Sequence, residues 1–202
     1  MGLLHNYKIA IIGPEASGKT ELAWHLATVF NGIATPEYAR VYFNEKTLPA
    51  DHVLSTAEMC EVMAGQQTIE QGDGLLFIDA GTVHGPLYAG MQRKDSGKLS
   101  FHLDSVDTSI MAYGTGGAYD AFLLCYPHEK LEWVDDGQRA MPELNDRSVF
   151  ADACEGFIQA HYPAIPVVKI DAATWPEREE QAREGLKPLI PAQKRGAAMS
   201  PR

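Results

Sequence analysis

Cysteine is scarce in this chain, with three in 202 residues, at Cys60, Cys125 and Cys154. Their odd number and wide spacing give neither a disulfide framework nor a metal-binding pair. They read as small buried hydrophobes in a reducing compartment, so a cytoplasmic location is expected. The seven histidines show no metal-ligand spacing and receive no role. No apolar run reaches the ~20 residues a membrane helix needs. The opening MGLLHNYK is too short for a signal peptide, so no membrane association is expected. Positive charge is also short, with 17 Lys and Arg against 27 Asp and Glu, a net of −10. A nucleic-acid partner needs a basic face, so none is expected; a small or cationic substrate remains compatible. Internal repeats and domain linkers are absent as well.

What is present is a globular composition, 45% hydrophobic and 22% charged. The length suits one domain, taken as residues 1–190, with PAQKRGAAMSPR (191–202) expected to fray. YKIAII (7–12), GLLFIDA (74–80), AFLLCY (121–126) and IPVVKI (165–170) read as strands, and GIATPEYAR (32–40) as a short strand broken by Pro36. Between them, Leu22, Ala23, Leu26, Val29 and Phe30 fall at helical spacing, and the NG at 31–32 stops that helix. STAE (55–58) is a capping box opening a helix to about Gln71, and TWPE (174–177) is a second, with Pro176 early where a helix tolerates it. VFADACEGFIQA (149–160) is helical by its apolar spacing, and residues near 93–100 read as a loop. Solidly apolar strands alternating with helices predict an α/β three-layer sandwich, a parallel sheet covered on both faces.

The stretch GPEASGKT (13–20) matches G-x-x-x-x-G-K-[ST] and lies between a strand and a helix, as the motif requires. Gly13 and Gly18 let the backbone curl so that the amides of Glu15, Ala16, Ser17 and Gly18 face phosphate oxygens. The helix behind adds its positive end. Lys19 is placed to reach the β and γ phosphates of ATP or GTP, and Thr20 to ligate magnesium.

In an open α/β sheet, ligands bind beyond the carboxyl ends of the strands. Asp79 closes LLFID and therefore falls beside the expected magnesium. Glu37 follows the second strand, placed to accept a proton from an attacking hydroxyl. Asp120 begins its strand, at the opposite end, and reads as structural. EWVDDGQRAMPELNDR (132–147) carries Asp135, Asp136, Arg139 and Arg147. A loop of this kind suits an arginine-bearing lid over a transferring phosphoryl group, although its composition by itself favours a solvated surface loop.

Taken together, IIGPEASGKTELA, TPEYAR, the QQ at 66–67, LLFIDAGT, YDAFLL and EWVDDGQR, in this order, resemble the ribosylnicotinamide kinase domain of the NadR type over residues 7–190. The resemblance implies a P-loop kinase with a five-stranded parallel sheet that phosphorylates nicotinamide riboside with ATP and magnesium. It implies site roles for Glu37, Tyr38 and Arg40, and for Trp133, Asp135, Asp136 and Arg139, with Glu37 as base for the 5′-hydroxyl. The pattern departs in two places. The family's Asp-Thr-Asp run reads Asp79, Ala80, Gly81, Thr82 here, and Gln138 stands where an apolar residue is usual. Both departures lie near the expected nucleoside pocket. Another nucleoside or a nucleoside monophosphate is the alternative acceptor, and an ATP-driven switch acting on a protein is the alternative from a different class. A homo-oligomer is compatible with all of these readings.

Overall fold

The computed structural model describes residues 6–49, 52–94, 97–131, 133 and 141–192. Five of its strands form one parallel sheet: β1 (Tyr7–Ile12), β2 (Ile33–Thr35), β3 (Leu75–Asp79), β6 (Ala121–Cys125) and β7 (Val167–Ile170), in the order β2-β3-β1-β6-β7. β3 and β6 are buried at every position, which is why their sequences show no polar alternation. β7, at one edge, keeps Val167 and Lys169 exposed.

Successive residues of the central strands point into two cores. Ile9 and Ile11 of β1 and Leu75 and Phe77 of β3 join one. That side is closed by Leu22, Leu26 and Phe30 of α1 (Lys19–Phe30), with Ala182 and Leu186 of α7 (Trp175–Leu186). Ala10, Ile12, Leu76 and Ile78 join the other. There they meet Leu87 of α4 (His84–Gly90) and Phe150, Cys154 and Phe157 of α6 (Leu144–His161). Each fully buried Leu, Ile or Phe contributes roughly 1.5–3 kcal/mol, so this double layer is what holds the strand ends in place. The expected fold class and the five-stranded parallel sheet are therefore observed.

Both capping boxes form. Ser55 Oγ accepts the Glu58 amide ahead of α3 (Thr56–Ile69), and the Glu177 carboxylate accepts the Thr174 amide at 3.2 Å ahead of α7. Asp120 is structural, as expected: its carboxylate accepts the Lys8 amide at 2.8 Å and locks β6 to β1 at the amino end. Three features differ from the sequence reading. Residues after Pro36 form a helix, α2 (Tyr38–Lys46), that buries only Tyr42 and so carries little apolar periodicity. The expected loop near 93–100 is the turn of an antiparallel hairpin, β4 (Met91–Arg93) with β5 (Leu99–Phe101), and α5 (Thr108–Thr115) follows it. Finally, α6 starts at Leu144, so Arg147 sits on a helix rather than in a loop; its first turn is polar because buried Asp146 pairs with Arg93 at 2.5 Å. The frayed segment expected beyond 190 falls mainly outside the described residues.

Two helical glycines test the packing in opposite directions. A Cβ on Gly114 of α5 would lie 2.2 Å from the Pro86 ring, whereas one on Gly156 of α6 would meet nothing within 4 Å. Alanine gains up to about 1 kcal/mol of helix propensity over glycine, while overpacking costs about 1–3 kcal/mol. Gly156→Ala should therefore raise the denaturant midpoint, by about 0.5–1 kcal/mol of stability. Gly114→Ala should lower it, because the rigid ring cannot give way.

Candidate active site

The loop from Gly13 to Thr20 leaves the carboxyl end of β1 and enters α1. Gly13 has φ of 140°, and a Cβ there would lie 2.3 Å from the Cys125 carbonyl oxygen, so only glycine fits. Gly18 caps α1 at φ of 79°, with the Trp175 ring 2.6 Å from where its Cβ would stand. Between them Ala16 is held at a φ of 52°, an unfavourable value for a residue with a side chain. The Pro14 carbonyl gathers two donors, Lys19 Nζ at 2.7 Å and Ser17 Oγ at 2.8 Å. This is a curled backbone at a helix N-terminus, a ready site for an anion.

Asp79 ends β3 and accepts a hydrogen bond from the Thr20 hydroxyl at 2.5 Å. Its other oxygen, Oδ1, is buried with no partner among the described residues. Burial, above all, pushes the Asp79 carboxyl up to about 6; Lys19, the Thr20 hydroxyl and Arg40 oppose the rise, and Glu37 adds to it. Lys19, Glu37 and Arg40 thus each bear electrostatically on Asp79, although the four residues come from three separate segments. An unpaired carboxylate oxygen beside a hydroxyl is a hard-oxygen pair of the kind magnesium takes, so the residues present fit that ion.

Glu37 precedes α2 in extended conformation, and Arg40 Nε lies 3.3 Å from its carboxylate. The Tyr38 amide donates to Gln66 of α3 at 2.9 Å. Its ring lies where a Cβ on Gly65 would be, 2.0 Å away. The QQ helix therefore positions the segment that carries Glu37.

Of the remaining sequence-predicted residues, Glu15 accepts the Met141 amide on its carboxylate at 2.9 Å. Arg147 is buried, with its guanidinium 5.4 Å from the Trp133 ring. Asp135, Asp136 and Arg139 lie outside the described residues.

The sequence reading missed α4. His84 is buried, and its Nε2 accepts the Gly13 amide at 3.2 Å, which places the imidazole proton on Nδ1. Burial first, and Lys19 second, hold this imidazole neutral. Four residues on, part-buried Tyr88 has its phenol held well above the usual range by burial and by Glu15 and Glu37. Both residues project from a helix that begins at the active end of β3, and that i, i+4 position was the available signal.

Asp79 makes the site costly for the folded state. The folded carboxyl titrates near 6 and an unfolded one near 3.8. Native stability therefore falls as pH rises from about 4 to 6, stays reduced above that, and carries no penalty below about 4. Asp79→Asn should raise the stability of the nucleotide-free protein at pH 7–8 by about 1–3 kcal/mol, with the gain vanishing near pH 4. Urea titrations at the two pH values check this.

Comparison with known proteins places this geometry. The AAA domain family matches residues 8–178. A tRNA dimethylallyltransferase of Cytophaga hutchinsonii is 30% identical over 152 residues, 72% of this chain and 42% of that protein. In structure, the chain is similar to NadR protein in complex with NAD and AMP-PNP, at a TM-score of 0.70, 17% identity and coverage of 98% of this chain and 51% of the other. It is also similar to NadR protein in complex with NR, at a TM-score of 0.72, 19% identity and coverage of 97% and 53%. The chain thus spans about half the length of these solved structures and less than half of the curated relative. By the family match across nearly all of its β1-to-α7 core, and by the phosphate loop that this core presents, the chain belongs to the AAA domain family, a P-loop family.

Proposed function

We propose that this protein is a P-loop nucleoside kinase, and that its acceptor is nicotinamide riboside, which it converts to nicotinamide mononucleotide with ATP. The observation that carries the reading is that Lys19 and the Glu37–Arg40 pair both bear on the buried Asp79 at the carboxyl ends of the strands. A nucleotide switch requires Lys19 and Asp79; an acid on the segment after β2 adds a group able to take a proton from an acceptor hydroxyl. The solved NadR complexes, one with NAD and AMP-PNP and one with NR, share this fold and support the same acceptor class.

In this reading the loop amides of Glu15 to Gly18 and Lys19 bind the β and γ phosphates of ATP. Glu37 orients the acceptor's 5′-hydroxyl and takes its proton. The freed oxygen forms the new bond to the γ phosphorus as the bond to ADP breaks. Magnesium, held by Thr20 and Asp79, supplies neutralisation of phosphate charge when bound. Trp133 and Tyr38 offer aromatic faces suited to a pyridinium ring, and Arg147, beside Trp133, offers positive charge to the transferring group, with Arg139, Asp135 and Asp136 given site roles by resemblance alone.

A second reading, dimethylallyl transfer to tRNA, rests on the 30% identical relative. The net charge of −10 opposes it, because a polynucleotide needs a basic face.

A coupled phosphotransfer assay with ATP, magnesium and a nucleoside panel decides among these. Turnover confined to nicotinamide riboside is the expected result. Turnover with a different nucleoside keeps the mechanism and replaces the acceptor. ATP binding without any acceptor-dependent turnover sinks the kinase reading in favour of a switch. Lys19→Ala should lower kcat by about 100-fold or more in a variant that still folds, since it removes a donor that acts on charge developing in the transition state.

A further inference from the structure

Arg178, the fourth residue of α7, is the largest side chain among the described residues with no exposed surface. Its guanidinium donates to four backbone carbonyls: Ala172 at 2.9 Å, Tyr126 at 2.7 Å, Ile170 at 3.2 Å and Ser17 at 3.3 Å. Among the described residues none of its partners is a carboxylate, and its Nε has no partner at all. Two of those carbonyls follow or end β6 and β7, one precedes α7, and the fourth belongs to the phosphate loop.

A buried guanidinium keeps its charge, and carbonyl dipoles solvate that charge without cancelling it. The surroundings do not cancel it either. The positive ends of α1 and α7 lie at the same edge of the sheet, together with Lys19. A folded state that holds this much positive charge at one place is complementary to a polyanion. The contact with Ser17 has a directional consequence too. Ser17 lies between Ala16 and Gly18, both left-handed, at φ of 52° and 79°. A loop that offers its amides to a ligand must turn its carbonyls away, and each carbonyl turned inward needs a buried donor. Lys19 and the Ser17 hydroxyl serve Pro14; Arg178 serves Ser17.

We propose that Arg178 is a positioning residue for the nucleotide phosphates: it fixes the Ser17 carbonyl behind the phosphate loop and gives that loop a buried positive charge with no carboxylate hydrogen-bonded to it among the described residues. The proposal rests on the reading of this loop as an ATP site and is independent of which acceptor is phosphorylated. The bland alternative is a latch that merely ties α7 to the ends of β6 and β7. The two differ in one respect: a latch has no preference for the number of phosphates on a ligand.

The test is calorimetric binding of ATP, ADP and AMP to the wild-type protein, Arg178→Met and Arg178→Lys, with thermal unfolding of each. Arg178→Met should weaken ATP binding by about tenfold or more, ADP less and AMP least, as expected for loss of a charge-assisted interaction. Arg178→Lys, which keeps the charge but loses the planar fork, should recover part of the ATP affinity. Unchanged ATP affinity in Arg178→Met overturns the proposal. So does a loss by one common factor for all three nucleotides, and so does failure of both variants to fold, either of which makes the residue a latch. If the wild type binds ATP yet phosphorylates no nucleoside, the kinase reading fails and this one stands; if the wild type binds no ATP, both fail.

Discussion

Everything at the active end depends on how closely β1 approaches β6. Gly13 leaves β1 with its α-carbon against the Cys125 carbonyl, in a space where no side-chain carbon fits. From that contact the loop must rise steeply and then turn back into α1. The direction of the turn is then secured from beneath by His84, which accepts the Gly13 amide, and from the side by Trp175, which covers Gly18. These two residues come from helices on opposite faces of the sheet. The two hydrophobic cores therefore do more than stabilise the domain: each delivers one side chain that shapes the loop.

The same closeness explains the electrostatics. Carboxylates at strand ends are normally wet, but Asp79 is dry because the loop and α4 pack over it. Its ionisation is resisted by burial and supported mainly by Lys19. Thr20 satisfies one oxygen and leaves the other without a partner. A site built in this way is underfilled with positive charge around Asp79 and overfilled around Ser17. The first mismatch suits a cation and the second suits an anion, and both are present in a metal-bound nucleotide. Stability is given up at Asp79, where burial opposes ionisation.

Much of this was legible in the sequence. The phosphate loop announced itself because its chemistry demands fixed spacing, and Asp79 and Glu37 followed from a topological rule about strand ends. The strands were legible because burial on both faces removes polar residues from them. One helix and one helix start that went unseen are instructive. α2 buries a single residue and α6 opens on Leu144, Asn145, Asp146 and Arg147, so neither start has an apolar period. Arg147 was consequently read as part of a loop. His84 escaped because a lone histidine has no sequence signal, and its role is defined by a backbone amide 71 residues away. Arg178 escaped for a similar reason. All four of its partners are carbonyls, which every residue has.

The remaining question for any phosphotransfer is how Glu37, after a three-residue edge strand, is held in register with Asp79. β2 pairs only with β3, so the sheet alone is a weak guide. A chain of buried polar groups supplies what the edge strand lacks. The Tyr38 amide donates to Gln66, Gln66 donates to Glu70 at 3.0 Å, and the Tyr119 hydroxyl donates to Glu70 at 3.2 Å. The Thr82 amide then donates to that same hydroxyl at 2.9 Å. The path runs from the residue after Glu37, by way of α3 and Tyr119, to the turn after Asp79. Buried networks of this kind fix geometry, because any displacement leaves a polar group unsatisfied in a dry interior. Glu70 itself illustrates the cost, its carboxyl raised by burial despite the hydrogen bonds it receives. The turn it supports reads Asp79, Ala80, Gly81, with the last two at φ of 73° and 64°. That conformation, held by Tyr119 through Thr82, sets where the Asp79 side chain points. Gly81 takes its positive φ without strain, while Ala80 is held in its own by the network around the turn.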